Sequence, residues 1–256
     1  MVCLGFRIQS DWMPFHHLGR EVFLVPVTWD KNGWFTAGVD GTVQTVMDLP
    51  LKASEQKING RYDVSFETIK NEPQRFCHLR EYHPECYEFT ENSVTLFGNR
   101  FTLNDTESPT FLGVRQSEFD TELTVSLTGN SPEAGITFYL SEEHHYDLAV
   151  LCKEKKRTLI LRLRIGDAVM TAKEIELPED AQIILKVVSD AAQYHFYGII
   201  NEEEILLGSA RTKYLSSEVA GGFTGVVMGM YAVNPNEDQK QKAQFTNLYW
   251  KQGTDR

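Results

Sequence analysis

Two cysteines and two histidines lie within one ten-residue segment, CHLREYHPEC, and side chains of these types could bind a metal ion. Thiolate and imidazole groups are the ligands of structural zinc sites. The spacing is unfavourable, because eight residues separate the cysteines and the tight CxxC turn is absent. The alternative is a loop between strands, and we expect no metal site. The residues are Cys77, His78, His83 and Cys86.

A second group of side chains with chemical potential begins a predicted strand at Glu142-Glu143-His144-His145-Tyr146-Asp147. Adjacent histidines on a strand point to opposite faces, so the two cannot easily bind one ion, and the HExxH pattern is absent. We therefore expect one histidine to lie in the core with a hydrogen-bond partner and the other to face solvent.

Arg20 follows a glycine in the segment HHLGRE (16–21) and precedes an apolar strand. Its planar guanidinium is suited to bind hydroxyl or carboxylate groups. A surface ion pair of Arg20 with Glu21 or with an aspartate is the alternative.

The glycine-rich segment AGGFTG (220–225) precedes a predicted strand, so it cannot bind phosphate at a helix N-terminus. We expect Gly221 and Gly222 to adopt positive φ, with Phe223 pointing outward or into a neighbouring surface.

A catalytic pattern cannot be identified in this sequence. The GxSxG, P-loop and GxGxxG motifs do not occur, so nucleophilic serine chemistry and nucleotide binding have no support. Glycosyl transfer needs two carboxylates at a defined separation, and these come from strands that sequence spacing does not relate. We therefore assign no catalytic residue to this chain.

Composition and charge exclude several classes of protein. A chain that is 41% hydrophobic and 24% charged is typical of a folded globular protein. The net charge of −11, without a dense basic stripe, argues against nucleic acid as a partner. An apolar run of roughly 18 residues, as a membrane span requires, is absent. Four cysteines without a CxxC pair and the lack of a signal-peptide pattern predict a cytoplasmic protein.

Alternation of apolar and polar residues recurs throughout, whereas helical spacing is not sustained over three turns, which predicts an all-β protein. Many short strands with turns between them indicate a two-sheet sandwich. The predicted strands are 22–28, 62–69, 94–97, 111–114, 121–127, 134–140, 146–152, 158–165, 183–189, 194–200, 204–208, 224–231 and 243–250.

The sequence predicts a short N-terminal part and a much longer C-terminal domain. A predicted strand, VCLGFRI, stands at its very start, and a polar segment over 38–58 reads as a linker. The residues before this linker are too few to bury a core of their own. We therefore predict that 1–45 is the remnant of another domain with its linker, and that 46–256 is a self-sufficient β-sandwich.

These motifs together resemble the C-terminal part of family 43 glycoside hydrolases, the β-xylosidases and α-L-arabinofuranosidases. VCLGFR and HHLGREVFLVPVTWDKNGWF are similar to the last strands of the five-bladed propeller of that family. Further segments are similar to its appended concanavalin A-like sandwich: SPTFLGVRQ (108–116), EAGITFYLSEEHHYDLAV (133–150), GGFTGVVMGMYA (221–232) and FTNLYW (245–250).

The resemblance implies a concanavalin A-like jelly-roll sandwich preceded by strands of an incomplete propeller. It implies metal-independent hydrolysis of arabinosyl or xylosyl linkages with inversion, by carboxylates of earlier blades that would precede residue 1. The missing N-terminal propeller would then be a partner. Arg20 matches the arginine that binds sugar hydroxyls, and Phe223 matches the residue that closes the pocket. Cys77 and His78 depart from a stretch that is usually more aromatic and apolar.

Three hypotheses about function follow. In the first, the chain is the C-terminal part of a family 43 glycosidase and is non-catalytic alone. In the second, it is an autonomous carbohydrate-binding or scaffolding sandwich, which would need a concave row of exposed Trp or Tyr. In the third, it hydrolyses glycosides unaided, although positioned carboxylates were not found. Calcium binding, homo-oligomer formation and the preferred pentose stay open.

Overall fold

A computed structural model describes residues 2–10, 14–44, 47, 62–154, 156–236 and 238–253. Strands dominate these ranges, which confirms the all-β prediction. Strands β1 to β18 are Val2–Gly5, Glu21–Leu24, Val27–Trp29, Phe35–Ala37, Tyr62–Val64, Tyr87–Phe89, Ser93–Phe97, Thr110–Arg115, Thr121–Gly129, Glu133–Ser141, His144–Lys153, Lys156–Ile165, Ala168–Leu177, Ile183–Ser189, Gln193–Ile200, Glu203–Arg211, Val227–Val233 and Lys242–Gln252. Two short helices accompany them, α1 (Phe66–Asn71) and α2 (Ser217–Ala220), with 3-10 turns at Pro73–Arg75, Pro84–Cys86 and Thr212–Leu215.

Two large antiparallel sheets form a sandwich, as expected for a concanavalin A-like fold. One has six strands in the order β13-β12-β11-β10-β17-β8. The other has the order β16-β15-β14-β9-β18-β7-β6, and β5 pairs with β18 beside this path. Strands β9 and β14 alternate buried and half-buried residues, so one face of their sheet covers the core. The alternation seen in the sequence therefore corresponds to the packing of the two layers.

The core between the sheets is aliphatic with an aromatic centre. Tyr146 and Phe138 of the six-stranded sheet meet Tyr194 and Phe196 of the other sheet at ring-centroid distances of 4.5 to 6.2 Å. All four side chains are fully buried. Such ring pairs add to the stabilisation that comes from burying apolar area.

The outer face of the six-stranded sheet is also covered. Phe111, Ala149 and Tyr231 lie in a second apolar cluster, against which Cys77 and Leu79 pack. The segment that follows α1 therefore folds over this face, and a backbone bridge joins Cys77 to Gly113. Both faces of the sheet are consequently shielded from solvent near its centre.

Two predicted strands are corrected by the structure. The segment 62–69 is a strand only up to Val64, because Ser65 and Thr68 form a capping box that starts helix α1. The segment 22–28 is split at Pro26, which has no N–H to donate to a sheet. Strand β13 was not predicted, since most of its side chains are exposed and the sequence shows no clear alternation there.

Before the sandwich lie two small two-stranded sheets, β1 with β2 and β3 with β4. Most of the proposed linker over 38–58 lies outside the described residues, as does Trp12, so the division at residue 45 stays a prediction. Assignment of these strands to a propeller also stays a prediction. Within the described ranges, none of the helices is long and apolar enough to cross a membrane.

Candidate functional site

Arg20 and Phe223 come together at the junction between the N-terminal segment and the sandwich. The Arg20 Cζ atom lies 4.1 Å from the centroid of the Phe223 ring. Phe223 is 76% exposed, and Gly221 and Gly222 have φ values of 74° and 78°. This confirms the predicted glycine loop with an outward-pointing phenylalanine. The pairing of Arg20 with Glu21 is wrong, because Arg7 binds that carboxylate with two hydrogen bonds of 2.8 and 2.9 Å.

The backbone around Arg20 is held by the sandwich. Arg115, at the end of β8, donates hydrogen bonds to the carbonyl oxygens of Leu18, at 2.6 Å, and Arg20, at 2.7 Å. The Val226 N–H donates to the His17 carbonyl at 2.9 Å. Because charged donors make strong hydrogen bonds, Arg115 fixes the chain on both sides of Gly19. The Arg20 side chain is thereby directed towards the glycine loop.

Two glycines permit this close approach. A Cβ atom on Gly19 would lie 2.5 Å from the Gly225 nitrogen, and one on Gly225 would lie 2.1 Å from the Leu18 carbonyl oxygen. Gly19 also has a φ of 74°, which disfavours other residues. The two backbones can therefore touch only where neither carries a side chain.

Helix α2, directly before the glycine loop, is tied to the same segment. Glu218 accepts a hydrogen bond from the His16 N–H at 3.0 Å, and its other carboxylate oxygen contacts His16 Nδ1. Phe6 stacks on the His16 ring at 4.2 Å. Burial opposes ionisation of Glu218, but the hydrogen bonds from His16 outweigh it and lower the pKa of this carboxyl.

His17 is fully buried beside Phe119 and Tyr194. Burial, aided by the positive charges of Arg7 and His16, lowers its pKa to about 3. The imidazole is therefore neutral near pH 7. Its Nδ1 atom lies 3.3 Å from Nε2 of Gln9, which also donates to Thr212.

Buried polar atoms without a hydrogen-bond partner are concentrated at this junction. Of eight such atoms in the described part of the chain, five belong to the N-terminal segment or to α2. Such groups are rare in folded proteins, so their clustering distinguishes this junction from the rest of the described chain. The five atoms are Gln9 Oε1, His16 Nε2, His17 Nε2, Arg20 Nη1 and Ser217 Oγ.

This arrangement can bind a neutral polar molecule. It offers the Arg20 guanidinium and the exposed Phe223 ring, which are suited to hydroxyl groups and to the C–H face of a sugar. The nearby carboxylates are engaged, since Glu21 and Glu118 bind Arg7 and Glu218 binds His16. Among the described residues at the junction, we find no pair of free carboxylates placed for acid–base catalysis.

The cysteine and histidine segment makes contacts with the protein itself. Cys77 Sγ donates to the Gly113 carbonyl, and burial raises the pKa of this thiol to about 11. His78 Nδ1 lies 3.0 Å from the Phe111 carbonyl oxygen, and His83 lies 3.6 Å from Glu85. No group of three or more potential metal ligands occurs within the described ranges.

The histidine pair on β11 is partly corrected. His145 is fully buried with Nδ1 2.8 Å from Asp147 Oδ1, which confirms the expected core histidine. His144 is buried as well, so the prediction that it faces solvent is wrong. The reason is that both faces of this sheet are covered. His144 points the same way as Tyr146, towards the interior of the sandwich.

Sequence reasoning missed Arg115, His16, His17 and Glu218 as parts of the junction. Arg115 and the histidines stand in the quoted segments SPTFLGVRQ and HHLGRE, so the signal was present, but their partners are remote in sequence. Arg20 and Phe223 are the two predicted site residues that the structure brings together. Their role in binding sugar stays a prediction.

The family described as β-xylosidase C-terminal concanavalin A-like domain matches residues 64–251. The non-reducing end α-L-arabinofuranosidase BoGH43B of Bacteroides ovatus is 33% identical to this chain, over 95% of the chain and 47% of that protein. A xylosidase/arabinosidase of Butyrivibrio fibrisolvens is 28% identical, over 84% of the chain and 43% of that protein. This chain thus spans about half the length of these relatives.

Solved structures agree in fold. The structure titled Bacteroides ovatus Xyloglucan PUL GH43B superposes with a TM-score of 0.82 at 31% identity, over the whole of this chain and 51% of that one. A xylan β-1,4-xylosidase from Bacillus halodurans C-125 superposes with a TM-score of 0.80 at 21% identity, over 98% of this chain and 51% of that one. The chain belongs to the β-xylosidase C-terminal concanavalin A-like domain family of glycoside hydrolase family 43 proteins.

Proposed function

We propose that this chain is the non-catalytic accessory half of a family 43 glycosidase acting on xylosyl or arabinosyl linkages, and that Arg20 and Phe223 form one wall of its sugar pocket. The observation that carries the proposal is the exposed Phe223 ring held over the Arg20 guanidinium. An exposed aromatic ring suits the C–H face of a sugar, and a planar guanidinium can donate paired hydrogen bonds to its hydroxyl groups.

The partner of this half is a catalytic domain of the propeller type. Nine of the seventeen exposed large hydrophobic side chains in the described ranges lie between residues 4 and 43. Leu4 and Val22 are cross-strand neighbours on the same face of the β1–β2 sheet, and both are largely exposed. Apolar sheet faces of this kind mark protein contacts. Half-length coverage of both curated relatives agrees with this assignment.

The catalytic carboxylates would be supplied by the partner domain. The carboxylates at the junction are engaged with Arg7 and His16, so the chain supplies binding and closure rather than proton transfer. Closure excludes water and orients the sugar, which contributes to rate without touching the reacting bond. The chain alone is then expected to release no sugar from aryl arabinofuranosides or aryl xylosides.

A chimera tests the proposal. The N-terminal half of the Bacteroides ovatus relative is fused to this chain, and turnover of an aryl α-L-arabinofuranoside is measured. We expect an active chimera whose kcat/KM falls at least about tenfold with Phe223→Ala. Phe89→Ala, at an exposed phenylalanine of β6, is the matched control and should leave the rate unchanged.

Two results would overturn the proposal. One is turnover by the purified chain without any fused partner. The other is an active chimera in which Phe223→Ala and Arg20→Ala leave kcat/KM unchanged. The unfolding midpoint of each variant is measured alongside, so that a lost rate is not mistaken for a lost fold.

An autonomous carbohydrate-binding module is the second candidate, and one observation favours it. Trp29 and Trp34 on the β3–β4 hairpin are 65% and 76% exposed, and Trp29 contacts Phe35 at a centroid distance of 5.4 Å. Exposed indole rings stack on sugars. Binding of insoluble polysaccharide by the chain alone, lost with Trp34→Ala, would favour this function over the accessory one.

A further inference from the structure

A cleft of about 340 Å³ opens at the end of the sandwich opposite the Phe223 loop. Strand β17 connects the two places, because it starts at Val227, shortly after this loop, and ends at Val233, next to Asn234 in the cleft. Its seven residues span about 20 Å. The cleft is therefore separate from the junction that holds Arg20.

The floor of the cleft is rigid. The Asn234 N–H donates to the Asn99 carbonyl at 2.7 Å, and the Asn99 amide donates to the Ser108 carbonyl at 2.8 Å. The Asn234 amide donates to the Gln239 carbonyl at 2.7 Å. These bonds hold Asn99 and Asn234 in place without a ligand. Preorganisation of this kind reduces the entropy that is lost on binding.

Two half-buried phenylalanine rings, Phe97 and Phe101, line the cleft. The Lys240 ammonium lies 4.8 Å from the centroid of Phe97, so this ring turns one face towards the opening rather than the core. Lys240 is itself exposed, and cation–π contacts at exposed sites are weak. A ligand ring can therefore displace the lysine from Phe97.

Polar side chains, among them one acidic and one basic residue, surround these rings. His83, Glu85, Gln239 and Lys240 line the cleft, and three of them are exposed at its rim. Together they offer donors and acceptors without favouring an anion or a cation. The chain as a whole carries a net charge of −11, which disfavours a polyanionic ligand.

We propose that this cleft is a second carbohydrate site, which binds a neutral oligosaccharide. Its volume is that of a small-ligand pocket, its rings suit the C–H faces of a sugar, and its mixed polar rim suits hydroxyl groups. The proposal takes only its ligand class from the proposed function and does not depend on Arg20 or Phe223.

The test is a titration of the ¹⁵N-labelled chain with xylohexaose, followed by amide chemical shifts. We expect saturable shifts at residues 97–101, 234, 236 and 238–240. Phe101→Ala should weaken this binding roughly tenfold, and Gln239→Ala, at an exposed residue, should weaken it by about threefold without affecting the fold. Phe89→Ala is the matched control and should bind like the parent chain. Dispersion of the amide spectrum reports the fold of each variant.

Three outcomes would overturn the cleft site. The first is shifts confined to residues 17–20 and 221–225, which would leave the proposed function standing. The second is unchanged affinity in both Phe101→Ala and Gln239→Ala. The third is tighter binding of an acidic oligogalacturonate than of xylohexaose. Amide shifts in the cleft that persist in the Phe223→Ala variant would support the cleft site, even if the junction binds no sugar.

Discussion

The guanidinium of Arg20 lies over the ring of Phe223, with Cζ 4.1 Å from the ring centroid, although the two residues are remote in sequence. Their backbones are joined by the contact of Gly19 with Gly225 and by the hydrogen bond from Val226 to His17. The pair is thus assembled across the junction of two segments. In this pair the Arg20 guanidinium stacks on an aromatic ring, and the exposed Phe223 ring is held in a defined position.

Replacing Arg20 separates its side-chain role from its backbone role. Arg115 binds the Arg20 carbonyl, so Arg20→Lys should change the free energy of unfolding by less than about 0.5 kcal/mol. In the active chimera, kcat/KM should fall at least about tenfold, or ~1.4 kcal/mol, because an ammonium cannot reproduce the planar stack and paired donors. Enzyme kinetics and urea unfolding measure the two effects.

The control is Arg100→Lys, because Arg100 lies 4.9 Å from the Phe101 ring in a similar stack away from the junction. We expect it to keep the parent rate. A rate loss of equal size in both variants would mean that Arg20 has no special part in the pocket.

The contact of two glycines makes a second prediction. Gly19→Ala places a Cβ atom 2.5 Å from the Gly225 nitrogen, so the N-terminal segment must move away from the glycine loop. The Val226 amide, which binds the His17 carbonyl, should then lose protection from hydrogen exchange by more than tenfold, since at least ~1.4 kcal/mol of local stability is lost. Exchange at the core amides of β14 should not change.

Gly221→Ala provides the control, because Gly221 has the same φ of 74° as Gly19 and no atom within 4 Å of an added Cβ. This variant carries the backbone strain without the clash, at a cost of about 1 kcal/mol. Equal loss of protection at Val226 in both variants would argue that strain alone, and not the close approach, accounts for the effect.

Much of the fold was predictable, because it depends on local patterns. The strand Ile183–Ser189 has the predicted bounds, since the apolar residues Ile183, Leu185 and Val187 alternate with half-buried ones and are themselves buried. Helix α1 was missed because its capping box uses Thr68, where a glutamate or glutamine is the more familiar signal. Strand β13 was missed because an exposed edge strand needs no alternation.

The site was predictable only in part. A glycine loop implies its own shape, so the exposure of Phe223 could be inferred from Gly221 and Gly222. Arg115 could not be assigned, because its function depends on carbonyl groups of a segment that is distant in sequence. Similarly, no local pattern links Glu218 to His16, since the contact exists only once the sandwich has formed.

A buried neutral histidine gives a third prediction, on pH. His17 has its pKa lowered from 6.5 to about 3, so between these values the unfolded chain binds a proton that the folded chain does not. Stability therefore falls as the pH is lowered through this window. From pH 7 to pH 5 this residue should account for a loss of about 2 kcal/mol in the free energy of unfolding.

Urea unfolding of the parent and of His17→Gln at pH 7 and pH 5 measures this contribution. We expect the variant to show a smaller loss of stability between the two pH values, by about 2 kcal/mol. Thr212→Val is the control, because it removes a buried hydroxyl that binds the same Gln9 side chain without removing a titratable group, and its loss of stability between the two pH values should follow the parent. Parallel curves for the parent and His17→Gln would contradict the assignment of a neutral buried imidazole.

The last prediction concerns the ion pair between Arg162 and Asp147, on the outer face of the six-stranded sheet. Arg162 Nε lies 2.8 Å from Asp147 Oδ2, and Asp147 also accepts hydrogen bonds from His145 and Thr137. Burial would raise the pKa of Asp147, but these partners outweigh it and lower the pKa to about 2. The stabilisation is thus present above pH 3.8 and is lost as the pH falls through about 2.

Removing this charge leaves its partners buried and incompletely satisfied, so Asp147→Asn should destabilise the chain by about 3–5 kcal/mol at pH 7.

Glu204→Gln is the matched control, because the Lys186–Glu204 pair has the same 2.8 Å separation but Glu204 is 44% exposed. That change should cost less than about 1 kcal/mol, since solvent screens an exposed pair. Equal costs for the two variants in urea unfolding would mean that separation, and not burial, sets the strength of these pairs. A cost for Asp147→Asn that stays constant from pH 5 down to pH 2 would contradict the lowered pKa, because protonation of Asp147 should by then have reduced the difference by about 2 kcal/mol.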